Sequence, residues 1–151
     1  MTGVQTCALP IWAKKSGLDA LVDVATLTGA QMVALGTRTS AIMGNDEALI
    51  EAIKASADEA GENFWPMPLP SELRATLDSP VADIANIGER WGGMLSAGIF
   101  LKEFIEPDQA WAHLDIAGPA FNEGKPYGYT PVGGTGHAVR TLVRLAETAA
   151  R

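Results

Sequence analysis

Apolar stretches that alternate with helix-spaced ones constrain this chain more than any other feature. Between Ala20 and Leu27 the sequence reads ALVDVATL, a β-branched apolar run that follows a Gly turn. TSAIMGN (39–45), VADIANIG (81–88) and AWAHLDIAG (110–118) are of the same kind. All four have the length and composition of buried strands. The segments between them carry a different period. AQMVAL (30–35) reads as a short helical piece. Asp46 stands where an N-cap belongs, because Leu49, Ile50 and Ile53 recur at helical spacing up to Gly61. Ser71 is read as the cap of a short helix to Leu77, a further helix is expected from about Leu95 to Phe104, before Pro107, and a last one from about Thr135 to Ala149. FWPMPLP (64–70) holds three prolines, which force an extended path with few backbone donors. Strands apolar on both faces and alternating with helices predict an α/β fold, a mixed sheet flanked by helices on each side.

At 151 residues the chain is about one ordinary domain. Its longest apolar runs fall far short of the roughly 20 residues a membrane span requires, so no membrane role is expected. Eighteen acidic against eleven basic residues leave a net charge of −7, with no basic stripe on any predicted helix, which argues against nucleic acid as a partner. One cysteine, Cys7, cannot form an internal disulfide, and with His113 and His137 it makes no Cys/His zinc site. That usage suits a reducing cytoplasm. Residues 1–11, MTGVQTCALPI, have no period and lack the features of a secretory signal. They are expected to be foreign to the domain, disordered and dispensable, with the domain itself spanning 12–151.

Several stretches imitate sites. GPAFNEGK (118–125) resembles a phosphate-cradling loop but has one residue too many between its glycines, and Pro126 stands where a metal-binding hydroxyl belongs. GGTGHA (133–138) opens the last helix, where backbone N–H groups could receive an anion, although a flexible lead-in to the helix is the stronger reading. His113 and Asp115 share a strand face, as a ligand pair or, preferably, a hydrogen-bonded core pair. Asp23, Asp83 and Asp115 each lie in an apolar strand, where a lone carboxylate costs several kcal/mol unless paired, bonded or metal-bound. A divalent-cation site and capping of backbone N–H groups are both open to them, capping being preferred.

VDVATLTGAQMVALG, VADIANIG, SAGIFLKEFIE and WAHLDIAGPA occur here in the order and rough spacing of the catalytic domain of the leucine aminopeptidase family, and the chain resembles its C-terminal part over about residues 18–147. The resemblance implies a cytoplasmic, hexameric hydrolase that uses two divalent ions, manganese or zinc, to remove N-terminal amino acids, Leu-like ones preferred, from peptides. It implies that the backbone carbonyl of Leu27 and the backbone N–H of Gly29 hold the peptide main chain. Thr26 and Gly29 would help to wall the first side-chain pocket with Ala117 and Ala120, and Ile87 would serve the residue after the cut. Ala120 stands where some members carry a bulkier residue.

The family's metal ligands and catalytic basic residues sit upstream, in a lysine- and aspartate-bearing stretch and an NTDAEGR motif that this sequence does not contain. The resemblance therefore assigns no catalytic or metal-binding residue here, and it implies a truncated catalytic domain that is inactive by itself and binds no metal. An inert fragment keeping only oligomer contacts is the alternative; a nucleotide-binding module, resting on the glycine runs, is a weaker one.

Overall fold

The computed structural model describes residues 17–150. Residues 1–11, expected to be foreign and disordered, lie outside the described residues, as does Cys7. Strand β1 (Ala20–Ala25) leads into helix α1 (Gly29–Leu35), followed by β2 (Ser40–Gly44), α2 (Glu47–Ala60) and the short β3 (Phe64–Pro66). A 3-10 helix (Ser71–Leu77), α3 (Gly93–Lys102), β4 (Ala110–Asp115), the small strands β5 (Phe121–Asn122) and β6 (Gly133–Gly134), and α4 (Val139–Ala149) complete the chain.

The main sheet has the order β1-β4-β2-β3. β1 runs parallel to β4, with Ala20 opposite Ala110 and Ala25 opposite Asp115. β2 is antiparallel to β4 and parallel to β3, so the sheet is mixed, as expected. Side-chain alternation divides the core between its faces. Ile42, Ala112 and Leu114 pack with Ile53 and Ala57 of α2 and with Leu142 and Leu145 of α4. On the opposite face Trp111 packs with Leu101 of α3, and Ala41 and Met43 pack with Met94, Ala30 and Leu35. Helices therefore cover both sides.

The best-marked element behaves as its sequence dictates. The Asp46 carboxylate accepts a bond from the Leu49 N–H at 2.8 Å, and Gly61 ends α2 in the left-handed conformation, φ 70°. Three expectations need correction. Ser71 is the first residue of the 3-10 helix and not its cap; Pro70 precedes it without a side-chain bond. The last helix starts at Val139, because Gly136 and Ala138 hold positive φ values of 68° and 76°, which no helix continues.

VADIANIG is not a strand. Its backbone folds into bends held by Ser79, whose hydroxyl accepts from Ala82 N–H at 3.2 Å, and by an Ala85 N–H to Leu77 carbonyl bond of 2.8 Å. Val81 and Ile87 are 91% and 79% exposed, so its apolar composition does not mark a core position within this chain. Asp83 is accordingly exposed, not a strand carboxylate.

Candidate functional site

The carboxyl ends of β1 and β4 lie side by side and their chains then diverge. The Ile116 N–H to Ala25 carbonyl bond, 2.9 Å, closes the ladder. Beyond it, Leu27 turns toward α1 and Ala117 turns toward β5. Asp115, fully buried, occupies the fork. Its Oδ1 accepts from Leu27 N–H at 3.1 Å and from Ala117 N–H at 3.2 Å, and its Oδ2 accepts from the Thr28 hydroxyl at 2.8 Å. Thr28 Oγ1 in turn accepts from Gln31 N–H at 3.0 Å and so caps α1. The threonine between strand and helix thus has a local cause: it joins the helix to the buried acid.

Thr26 and Gly29 are exposed and Leu27 is half-buried at this strand end. A Cβ built on Gly29 would meet nothing within 4 Å, and its φ is not positive, so neither packing nor backbone conformation requires glycine there. Leu27 and Ile87 line one cavity of about 270 Å³ together with Thr28 and Phe100. Ala117 lines a second, of about 660 Å³, between the end of α1 and residues 117–127, with Arg38, Phe121 and Tyr127 among its walls. Thr26, Gly29 and Ala120 border neither cavity. Of the substrate candidates the structure therefore brings Leu27 and Ile87 together in one depression and places Ala117 in another.

Of the other acidic candidates, Asp23 has structural partners. His113 and Asp115 share a face but do not bond to each other, which corrects the expected core pair. His113 instead meets Asp23 across the strands, Nδ1 to Oδ1 at 2.5 Å, and the Trp111 indole N–H donates to the other Asp23 oxygen at 2.6 Å. Asp23 is thus satisfied by two donors from β4 beneath α3. Among the described residues no group of three or more His, Cys, Asp or Glu side chains is placed to hold a metal ion. These residues do not fit a metal centre.

One residue was missed at the sequence level. Glu62, 4% exposed, accepts from Ala138 N–H at 3.1 Å, Thr141 N–H at 2.9 Å and the Thr141 hydroxyl at 2.6 Å. The glycine-rich lead-in to α4 does face an anion, but the anion is the chain's own carboxylate. The signal was a lone acid directly after the Gly61 helix stop; its partners lie nearly eighty residues away. GPAFNEGK is likewise no phosphate cradle: Phe121 and Asn122 form β5, and the Asn122 side chain donates to the Lys125 and Pro131 carbonyls.

The profile of the cytosol aminopeptidase family, catalytic domain, matches residues 7–143. The chain belongs to the cytosol aminopeptidase family. It is 64% identical over 141 residues to a probable cytosol aminopeptidase of Streptomyces coelicolor, covering 93% of this chain and 27% of the relative. Identity is 67% over 132 residues to that of Streptomyces griseus, covering 87% and 26%. The chain thus spans about a quarter of the length of the curated relatives it matches. Among solved structures, the bottromycin maturation enzyme BotP superimposes with a TM-score of 0.94 at 42% identity over 97% of this chain and 33% of BotP. BotP has also been solved in complex with Mn. A mutant of tomato leucine aminopeptidase gives a TM-score of 0.88 at 34% identity, covering 94% and 27%. The mixed α/β fold is that of part of these family members. Among the described residues no helix is long and apolar enough to cross a membrane.

Proposed function

We propose that this chain forms the substrate floor of a metal-dependent, cytoplasmic aminopeptidase that removes Leu-like N-terminal residues from peptides. One observation carries the reading: the turn after β1 presents an exposed glycine, Gly29 at the start of α1, with open space above it, beside a half-buried Leu27 whose amide is already held by Asp115. A peptide main chain can approach a glycine closely and be held by strand-like backbone bonds. In this reading the Leu27 carbonyl and the Gly29 N–H hold the main chain. Thr26, Ala117 and Ala120 bound the first side chain, and Ile87, over the cavity it shares with Leu27, contacts the residue after the cut.

The metals of such an enzyme supply a Lewis acid and an activated water. Residues outside those described would hold them, since the described ones offer no suitable group. This chain's share is to bind and orient the peptide. Val33, Val81 and Trp91 are 89%, 91% and 76% exposed, an apolar surface that the rest of the domain, or further copies in a hexamer, would cover. The test joins this chain to the upstream part of the Streptomyces coelicolor relative. The completed chain is expected to cleave leucyl peptides only with manganese or zinc and to sediment as an oligomer. The 151-residue chain alone is expected to be inactive. Robust metal-dependent turnover by the chain alone would overturn the assignment of roles.

A further inference from the structure

Among the buried polar side chains, Asp115 and Gln31 are both fully inaccessible. They join the same two segments. Asp115 Oδ1 receives one amide from the Leu27 turn and one from the Ala117 turn. Two amides anchored on a single atom cannot separate by more than the two bond lengths. Gln31 forms the second connection: its Oε1 accepts from Gly118 N–H at 2.6 Å while its Nε2 donates to the Thr39 carbonyl at 2.6 Å. The fit is close on the far side too. A Cβ on Gly118 would stand 2.3 Å from the Gly36 carbonyl oxygen, so only glycine lets the second turn lie against the end of α1. The Thr28 hydroxyl links the two connections, donating to Asp115 and accepting from the Gln31 backbone N–H.

Buried bonds to a carboxylate are stronger than neutral ones, and breaking them leaves orphaned donors. A merely apolar filling would bury the same volume and leave the two turns free to move independently. We infer that Asp115 and Gln31 are positioning residues: together they clasp the turn at Leu27–Gly29 to the turn at Ala117–Ala120, fixing the main-chain contacts relative to the side-chain pocket before a peptide arrives. The inference rests on the aminopeptidase reading for its link to substrate, but the clasp itself can be tested without one.

Amide hydrogen exchange is measured on the 151-residue chain and on the completed chain, with Ala112 and Leu114 of β4 as internal references. Asp115→Ala is expected to speed exchange at Leu27 and Ala117 by about tenfold or more while the references stay within about twofold. Asp115→Asn keeps an acceptor oxygen and is expected to hold both amides within about threefold of the unmodified protein. If Asp115→Ala does not fold, Gln31→Met decides, because it cuts only the connection to Gly118, whose amide should then exchange about tenfold faster.

In the completed chain either disruptive variant is expected to raise KM for a leucyl peptide by about tenfold, with Asp115→Asn close to unmodified. A purely structural role would lower the amount of active enzyme and leave KM unchanged. Exchange at Leu27, Ala117 and Gly118 that follows the references would overturn the clasp. An intact clasp signal with an unmodified completed chain that turns over no peptide would overturn the aminopeptidase reading instead.

Discussion

Asp115 and Glu62 solve the same problem in two places at the same end of the sheet. Each is a buried carboxylate that accepts from two backbone N–H groups and one threonine hydroxyl, and each bridges segments about eighty or more residues apart. They differ in what lies above them. Over Glu62 the chain is closed: Arg140 donates to the Ala60 carbonyl, its guanidinium stacks 3.8 Å from the Tyr129 ring, and the Tyr129 hydroxyl donates to the Gly61 carbonyl at 2.6 Å. Over Asp115 the surface is open, with Thr26 and Gly29 exposed. One device serves to seal a helix in the first place and to stiffen a vacant floor in the second. A buried acid therefore does not mark a site by itself; the space beside it does.

The largest expected effect separates the two places. In the completed chain Gly29→Val should cut kcat/KM for leucyl peptides by about a hundredfold or more, because the branched side chain fills the space left for the peptide main chain. The melting temperature should hardly change, since the Cβ meets nothing in the folded chain. Steady-state kinetics beside thermal unfolding checks this, and a loss of stability matching the loss of activity would break the contrast.

The reverse pattern is expected at the closed place, around Glu62. Glu62→Ala leaves two amides and a hydroxyl unpaired and should lower unfolding free energy by about 2–4 kcal/mol, read from denaturant titration, while KM of the completed chain stays the same.

The smallest effect is a pH dependence beside Glu62. His137 stacks on Phe64 with ring centroids 4.9 Å apart. Burial lowers its pKa, with the Glu62 charge opposing. The folded state thus disfavours the imidazolium relative to the unfolded chain. The corresponding stability is present above about pH 6.5 and lost as pH falls through the lowered folded pKa. Unfolding free energies measured between about pH 8 and pH 5 should fall, and His137→Leu should flatten part of that slope.

What was legible in the sequence depended on how far its cause reached. α2 could be read because its cap, its apolar spacing and its glycine stop all lie within sixteen residues, Asp46 to Gly61. The four-residue spacing of the candidate turn, Thr26 to Gly29, was legible only through family resemblance, and its physical support from Asp115 comes from 88 residues away. VADIANIG misled because composition reports apolarity and not pairing; without a neighbouring strand among the described residues, it bends around Ser79. His113 was given the wrong partner for the same reason, since the pairing register that puts Asp23 opposite it is set by the whole sheet.

The parallel pairing of β1 with β4 also orders events in time. Asp23 and His113 are 90 residues apart, and every rung of that ladder closes a loop of similar length. Contacts so distant in sequence slow folding, because the entropy of closing the loop is lost before the pairing rewards it. β2, α2 and β3 touch within a short stretch of chain and can assemble early, whereas β1 must wait for the 90 residues that separate it from its β4 partners to emerge. During that interval its ALVDVA segment lacks β4, which makes the nascent chain, more than the finished fold, the point at which aggregation and chaperone capture compete with folding.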